Sequence, residues 1–174
     1  MDTHPIHLPW AQPDWFDRAS AWMQTQLNQQ GIRITAPIEL VHQRPWSAFA
    51  RVTTDQGLVY FKAPAPMFAY EAPLIQTMAQ WRPDCSVPVL AIDPANGWIL
   101  SADAGTTLRL LDRTVGQIAH WQKILPLYSE LQITLADRVS ELLVLGLPDR
   151  RLAQLPQQYA DLLTATDSLR IGLK

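Results

Sequence analysis

The chain has 174 residues, of which 48% are apolar and 17% charged, and its formal net charge is -2. These values are typical of one globular domain, or of a small lobe with part of a second. Near-neutral charge without a Lys or Arg run excludes the electrostatic footprint of nucleic-acid or anionic-membrane binding. No apolar run reaches the roughly 18 residues that cross a bilayer, and the N-terminus lacks the basic and apolar regions of a signal peptide. Because Cys85 is the sole cysteine, no intrachain disulfide forms, and we expect a cytoplasmic protein.

The first forty residues predict a helix followed by a strand. Asp14 can cap the helix, apolar residues then recur at helical spacing, and Gly31 ends it. From Ile32 the apolar period changes to two, which predicts a first strand to about Val41.

A hairpin is predicted next. Residues 46–54 alternate between two faces, and residues 55–57 (DQG) form a three-residue loop. Gly57 is free to adopt the left-handed conformation that such a loop requires. Residues 58–63 return as the third strand.

One helix and two short strands complete the predicted sheet. The helix covers about residues 70–81, and the strands cover 87–92 and 98–101, separated by the turn-forming sequence DPANG. Five strands joined mainly by hairpins, with a helix inserted after the third, predict an antiparallel sheet with a helix against one face.

Only helices are predicted after Gly105. Thr114 and Gln117 fit a capping box, and the helix that they open must kink or restart at Pro126. A last helix over residues 156–169 turns its apolar side chains inward. The change of character predicts two parts, residues 1–103 and residues 104–174.

A lysine and a glutamate carry the strongest chemical signal. Residues 59–62 (VYFK) end the third strand in Lys62, and Glu71 follows at the start of the next helix. Alternation lets Lys62 point into a cleft while Phe61 packs beneath a helix. A strand lysine held by a helix carboxylate neutralises nucleotide phosphates in kinases; the alternative is a lysine that reaches only water. Pro73 confines Glu71 to the first helical turn, which leaves open whether it reaches Lys62.

These residues, with VPVL at 87–90 and GWILSADAG at 97–105, resemble the N-terminal lobe of the aminoglycoside phosphotransferase family, which includes choline and homoserine kinases. The likeness in element order covers nearly the whole chain and includes the start of the C-terminal lobe. It implies an α+β fold, in which a protein-kinase-like small lobe with a five-stranded antiparallel sheet and a helix is followed by α-helices. It also implies transfer of the γ-phosphoryl of ATP, bound with Mg²⁺, to a hydroxyl acceptor.

The resemblance also implies a nucleotide site. Residues 101–103 form a hinge whose backbone pairs with the adenine edge, and Gly105 lets the chain turn away. Ser47 lies in the nucleotide-covering loop, residues 43–47, where it can donate to a phosphate or be a plain turn residue. Asp103 has the alternative role of capping the next turn. The candidate nucleotide-binding residues are Lys62, Glu71, Ser47, Ser101, Ala102 and Asp103.

The sequence has no His-Gly-Asp or His-Arg-Asp motif, so no catalytic or metal-binding residue is assigned. We expect the ATP-binding portion of a truncated kinase, inactive alone, since the chain stops where the family's catalytic strand and loop begin. The alternative is a complete non-catalytic module that binds nucleotide or protein. The expected partners are nucleotide and an unnamed hydroxyl acceptor, without nucleic acid or membrane. Apolar helices after Gly105 also predict a homodimer.

Overall fold

A computed structural model describes residues 8–111 and 118–165 of the chain. The chain folds as two compact units, Met1–Arg138 and Val139–Lys174. The expected lobe boundary after residue 103 stays a prediction. Among the described residues, no helix is both long enough and apolar enough to cross a membrane.

The first unit contains the sheet and four helices. In chain order its elements are α1 (Trp15–Gln29), β1 (Glu39–Arg44), β2 (Ser47–Thr54), β3 (Gly57–Pro64), α2 (Glu71–Trp81), β4 (Val89–Asp93), β5 (Trp98–Ala102), α3 (Leu108–Leu111) and α4 (Ile118–Ala136). Single 3₁₀ turns lie at Pro9–Ala11 and Pro66–Phe68. The second unit contains α5 (Val139–Val144), a 3₁₀ turn at Leu152–Gln154 and α6 (Leu155–Thr164).

The five strands form one sheet in the order β1-β2-β3-β5-β4, and every neighbouring pair is antiparallel. Helices precede, interrupt and follow the sheet. The predicted α+β class, with a five-stranded antiparallel sheet followed by helices, is therefore confirmed.

Helix α1 ends as its sequence predicts. Gly31 has φ +72°, and its N–H donates to the carbonyl of Asn28. The N–H of Ile32 donates to the carbonyl of Leu27 at 2.9 Å. These two bonds make a Schellman motif, and the buried side chains of Leu27 and Ile32 supply its usual apolar contact.

The hydrophobic core lies between α1 and one face of the sheet. The ring centroid of Trp22 in α1 lies 6.0 Å from that of Phe61 and 5.5 Å from that of Trp98. Small residues at the centre of β2 let the helix approach closely. The buried residues of this layer are Trp15, Ala19, Met23, Leu27, Ala48, Ala50, Val52, Val59, Phe61, Ala63, Trp98 and Leu100.

The predicted first strand begins too early. The structure has β1 at Glu39–Arg44, and before it only one isolated bridge, between Ile34 and Thr54. Pro37 explains the difference, because proline has no N–H for a strand ladder. The alternating apolar residues before it form no regular strand, and the chain bends at Ala36.

The loop between β2 and β3 is one residue shorter than expected. Thr54 pairs with Gly57, so the loop consists of Asp55 and Gln56. The Thr54 hydroxyl donates to the Gly57 carbonyl at 2.7 Å and accepts from the Gln56 N–H. Gly57 has φ +111°, so the predicted left-handed glycine is confirmed.

The helix does not restart at Pro126, since α4 continues through this proline; the alternative, a kink there, stays a prediction. A helical proline removes one backbone hydrogen bond. Residues 121–130 are all exposed, so water can satisfy the freed carbonyl. The predicted capping box of Thr114 and Gln117 lies outside the described residues.

The last helix, α6, does not turn its apolar side chains inward. Tyr159, Leu162 and Leu163 are each more than half exposed. The prediction of a helix here was therefore right, and the prediction that its apolar side chains are buried was wrong. Periodicity identifies an apolar stripe on a helix but not what covers that stripe. The predicted end of this helix, residues 166–169, lies outside the described residues.

Candidate functional site

The second face of the sheet forms the floor of a cavity of about 350 Å³, and α2 forms its wall. Successive side chains of a strand alternate in direction, so β3 points Phe61 into the core and Tyr60 and Lys62 into this cavity. From α2, Leu74 and Met78 lie one helical turn apart on the cavity side. Among the described residues, the lining consists of Phe49, Tyr60, Lys62, Glu71, Leu74, Ile75, Met78, Ile99 and Ser101.

Lys62 and Glu71 form an ion pair at this cavity. The Nζ of Lys62 donates to the Oε2 of Glu71. The two side chains are 39% and 30% exposed, so a solute can reach them from the solvent. Within the described part of the chain, they are the only charged residues that line the cavity.

Pro73 does not prevent the pair from forming. Glu71 is the first residue of α2 and Pro73 the third, which keeps the proline in the first turn, where helices accept it. A carboxylate at this position is also favoured by the helix dipole. The sequence left this contact open, and the structure shows that Glu71 reaches Lys62.

Aromatic side chains cover the sheet beside the pair. The rings of His42 and Phe49 stack with centroids 5.4 Å apart, and those of Phe49 and Tyr60 with centroids 5.5 Å apart. Phe49 lies directly opposite Lys62 in the sheet register. Strand alternation places Phe49 and Lys62 on one face, so the sequence carries a signal for Phe49, although no motif names it.

The predicted hinge is partly built into the sheet. Ser101 lines the cavity, while the N–H of Ala102 donates to the carbonyl of Pro88 at 2.9 Å. That N–H is not available to a ligand unless this bond breaks. Asp103 accepts the Gly105 N–H at 2.9 Å, which is the turn-capping role weighed as its alternative. Gly105 has φ +84°, as a turn at this point requires.

Ser47 lies apart from the other candidates. It is buried at the start of β2, and residues 45–46 make a tight turn between it and Arg44. No residue of the expected covering loop, 43–47, lines the cavity. The role of Ser47 in phosphate binding therefore stays a prediction.

The described part of the chain offers no ready metal centre. Within residues 8–111 and 118–165, no three His, Cys, Asp or Glu side chains lie close enough together to hold a metal ion. Glu71 alone supplies a carboxylate to the cavity, and it is already paired with Lys62. The arrangement thus offers one cation, aromatic surface and apolar walls.

Comparisons with protein-family models, curated proteins and solved structures found no match to this chain. The likeness to aminoglycoside phosphotransferases therefore depends on the sequence segments that carry it.

Proposed function

We propose that this chain is the ATP-binding portion of an aminoglycoside phosphotransferase-like small-molecule kinase that acts in the cytoplasm. The observation that carries the proposal is the ion pair between Lys62 on β3 and Glu71 on α2, at the edge of a cavity. In such an enzyme the γ-phosphoryl of ATP moves to a hydroxyl of the acceptor.

The ion pair with Glu71 makes Lys62 suited to phosphate binding. Glu71 holds the flexible lysine in one place, so less side-chain entropy is lost when a phosphate arrives. Partial exposure of both groups leaves the ammonium accessible and keeps its desolvation small. A phosphate oxygen can then accept from a second N–H of the same ammonium group.

The rest of the cavity is suited to an apolar ring. Phe49 and Tyr60 present aromatic side chains, and Ile99 and Met78 add aliphatic surface. A volume of about 350 Å³ lies near the lower end of small-molecule sites. It suits one part of a nucleotide, with the base on the aromatic surface and the phosphates toward Lys62.

Mg²⁺ and the catalytic step are not assigned to this chain. When bound, Mg²⁺ neutralises charge on the transferred phosphoryl group. The described residues supply no set of ligands for it, and the sequence has no kinase catalytic-loop motif. The role proposed here is binding and orienting the nucleotide.

The test is an NMR titration of the ¹⁵N-labelled chain with ATP. We expect amide shifts near Lys62, Ser101 and Gly105, with a dissociation constant on the order of a millimolar, since little of the phosphate charge is neutralised. Lys62→Ala should remove the dependence on phosphate, so that ATP binds no better than adenosine. Lys123→Ala, which changes an exposed lysine of α4, is the matched control. Absence of shifts at several millimolar ATP would contradict the proposal.

A complete non-catalytic module, binding nucleotide or protein, is the second candidate. It is favoured by the same lack of metal ligands among the described residues. Titration with ATP, in the presence and absence of Mg²⁺, distinguishes nucleotide binding from pure protein binding. A protein-interaction module shows no saturable shifts with ATP under either condition.

A further inference from the structure

Helix α4 carries a stripe of mostly apolar side chains at alternating spacings of three and four residues. Because a helix has about 3.6 residues per turn, this spacing keeps the side chains on one face, and it is typical of helices that pack lengthwise against another helix. We call this stripe the α4 seam, and its residues are Ile118, Trp121, Leu125, Tyr128, Gln132 and Leu135. Pro126 is not among them, so it does not interrupt the seam.

The α4 seam faces solvent. Its first five residues are exposed, and Leu135 is half-buried. The contact that α4 makes with the end of α2 uses a different side of the helix, where Glu130 pairs with Arg82 at 3.7 Å. Successive residues turn by about 100° around a helix, which places Glu130 about 160° away from Tyr128. The seam is therefore available to a partner while the opposite side of α4 contacts the end of α2.

No charged side chain lies on the seam or beside it between residues 118 and 135 of the described helix. The residues that flank the seam are Ile124 and Leu131 on one side and Gln122 and Ser129 on the other. The two charged residues of α4, Lys123 and Glu130, lie on the opposite side of the helix. A second copy of the same surface therefore meets no like-charge repulsion, whereas a charged partner finds no complementary group.

The side chains of the seam fit an antiparallel pairing. With a two-fold axis between Leu125 and Tyr128, each Leu125 meets the partner's Tyr128, and each Trp121 meets the partner's Gln132. Large side chains then face smaller ones, which favours close packing. The indole N–H of Trp121 also gains the amide oxygen of the partner's Gln132 as an acceptor. A parallel pairing instead sets two Trp121 rings against each other and points both helix dipoles the same way, which is unfavourable.

We propose that α4 pairs antiparallel with α4 of a second copy of this chain, through the α4 seam, in a two-fold symmetric dimer. Two copies of the seam and its flanks expose on the order of 1,000 Å², which is about what a specific interface needs. No residue of the seam lines the cavity of Lys62, and the inference is independent of the proposed nucleotide site.

The test is disulfide crosslinking of the full chain in which Cys85, the sole cysteine, is changed to serine. One variant adds Trp121→Cys and a second adds Gln132→Cys. In the antiparallel dimer these two positions face each other across the axis, whereas two copies of position 132 lie more than about 15 Å apart, beyond the reach of a disulfide. Mild oxidation of an equal mixture at tens of micromolar should therefore give mainly the mixed disulfide, and each variant alone should give almost none. The mixed dimer also keeps one native pair of Trp121 with Gln132.

The matched control is Lys123→Cys, which places the thiol on the opposite side of the same helix and should link to neither variant. Self-linking of the Gln132→Cys chain would show a parallel pairing, and equal linking by Lys123→Cys would show random collision; either result overturns the proposal. An associating chain that gives no mixed disulfide overturns it too, since another surface then makes the contact. So does a chain that light scattering finds monomeric at tens of micromolar, which would leave the seam for a different protein.

Discussion

Two neighbouring residues of β3 have opposite tasks. Phe61 is fully buried against α1, with its ring 6.2 Å from that of Trp15. Lys62 points to the other face and pairs with Glu71 in partial contact with solvent. The core therefore depends on the first side chain and the site on the second.

This separation predicts unequal effects of two adjacent substitutions. Phe61→Ala should lower the free energy of unfolding by about 3–5 kcal/mol, as large cavities in cores do. Lys62→Ala should change it by only about 0–1 kcal/mol, because partly exposed ion pairs contribute little. Urea denaturation followed by tryptophan fluorescence measures both. A cost above about 2 kcal/mol for Lys62→Ala would show that the pair is structural, and would weaken its assignment to ligand binding.

A second residue-scale prediction concerns Asp84. The hydrogen bonds from the Arg82 guanidinium lower the pKa of the Asp84 carboxyl below its ordinary value. A carboxyl with a lowered pKa contributes stability above its unfolded-state pKa and loses it as the pH falls through the folded-state pKa. We therefore expect the Arg82 Nε chemical shift to stay constant around neutral pH and to change only in the acid range below about pH 4, where Asp84 takes up its proton.

The matched variants for this titration are two Asp→Asn changes. Asp84→Asn should remove the acid transition of the Arg82 chemical shift, because the amide does not titrate. Asp55→Asn removes a carboxylate that pairs with Arg33 and should leave the Arg82 titration unaltered. A transition near neutral pH would contradict the lowered pKa.

At the scale of elements, the end of α1 depends on one glycine. Gly31→Ala forces a Cβ into a backbone with φ +72°, although no neighbouring atom lies within 4 Å of that Cβ. The cost is therefore conformational, about 1–2 kcal/mol. Thermal and urea unfolding measure it, and Gln29→Ala, on an exposed position of the same helix, is the control with an expected change within about 0.5 kcal/mol. Equal effects of the two would rule out backbone strain as the cause.

Element order was predictable from the sequence because its signals are local. Gly31, Gly57 and the turn sequence at residues 93–97 mark chain reversals, and the strands between them alternate. The predicted start of β1 was wrong because the apolar residues alternate on both sides of Pro37. A periodicity argument considers side chains only and does not detect that proline lacks a backbone N–H. The sequence could not decide between a kink and a restart at Pro126, because the cost of a helical proline depends on the solvent around it.

The candidate site was predictable only in part. Lys62 and Glu71 could be named because their residue types and spacing fit one chemistry. Alternation could place Phe49 on the same face as Lys62, but not in a cavity, and Met78 had no signal, since the cavity depends on which elements pack face to face.

At the scale of the whole molecule, α4 leaves much apolar surface in contact with solvent. Ile118, Trp121, Leu125, Tyr128 and Ile133 are all between 45% and 72% exposed. Contiguous exposed apolar patches are rare on soluble monomers and mark contact surfaces. Glu130 of α4 pairs with Arg82 at 3.7 Å, and Arg138, just after α4, lies over the ring of Trp81 at the end of α2. These contacts leave the apolar surface of α4 exposed.

We therefore expect the chain to form homodimers or larger aggregates through its helical segment. Light scattering over a dilution series at micromolar concentrations should show a mass that falls toward the monomer. Leu125→Glu on α4 should raise the concentration at which association is half complete by about tenfold or more. Val41→Glu, which changes a similarly exposed apolar residue of β1, should leave that concentration unchanged. A monomer at tens of micromolar that binds no dye for apolar surface would favour the complete non-catalytic module.

The strand order has a consequence for how the molecule folds. β1, β2 and β3 are joined by tight turns, as are β4 and β5, so each group can form from local contacts. The two groups meet where β3 pairs with β5, as Phe61 does with Leu100, far apart in the sequence. Closing that long loop is entropically costly and delays non-local pairing. The floor of the cavity beside Lys62 joins β3 to β5, so a partly folded chain that has not made this junction has no such cavity. A ligand of this cavity therefore cannot guide the early steps of folding.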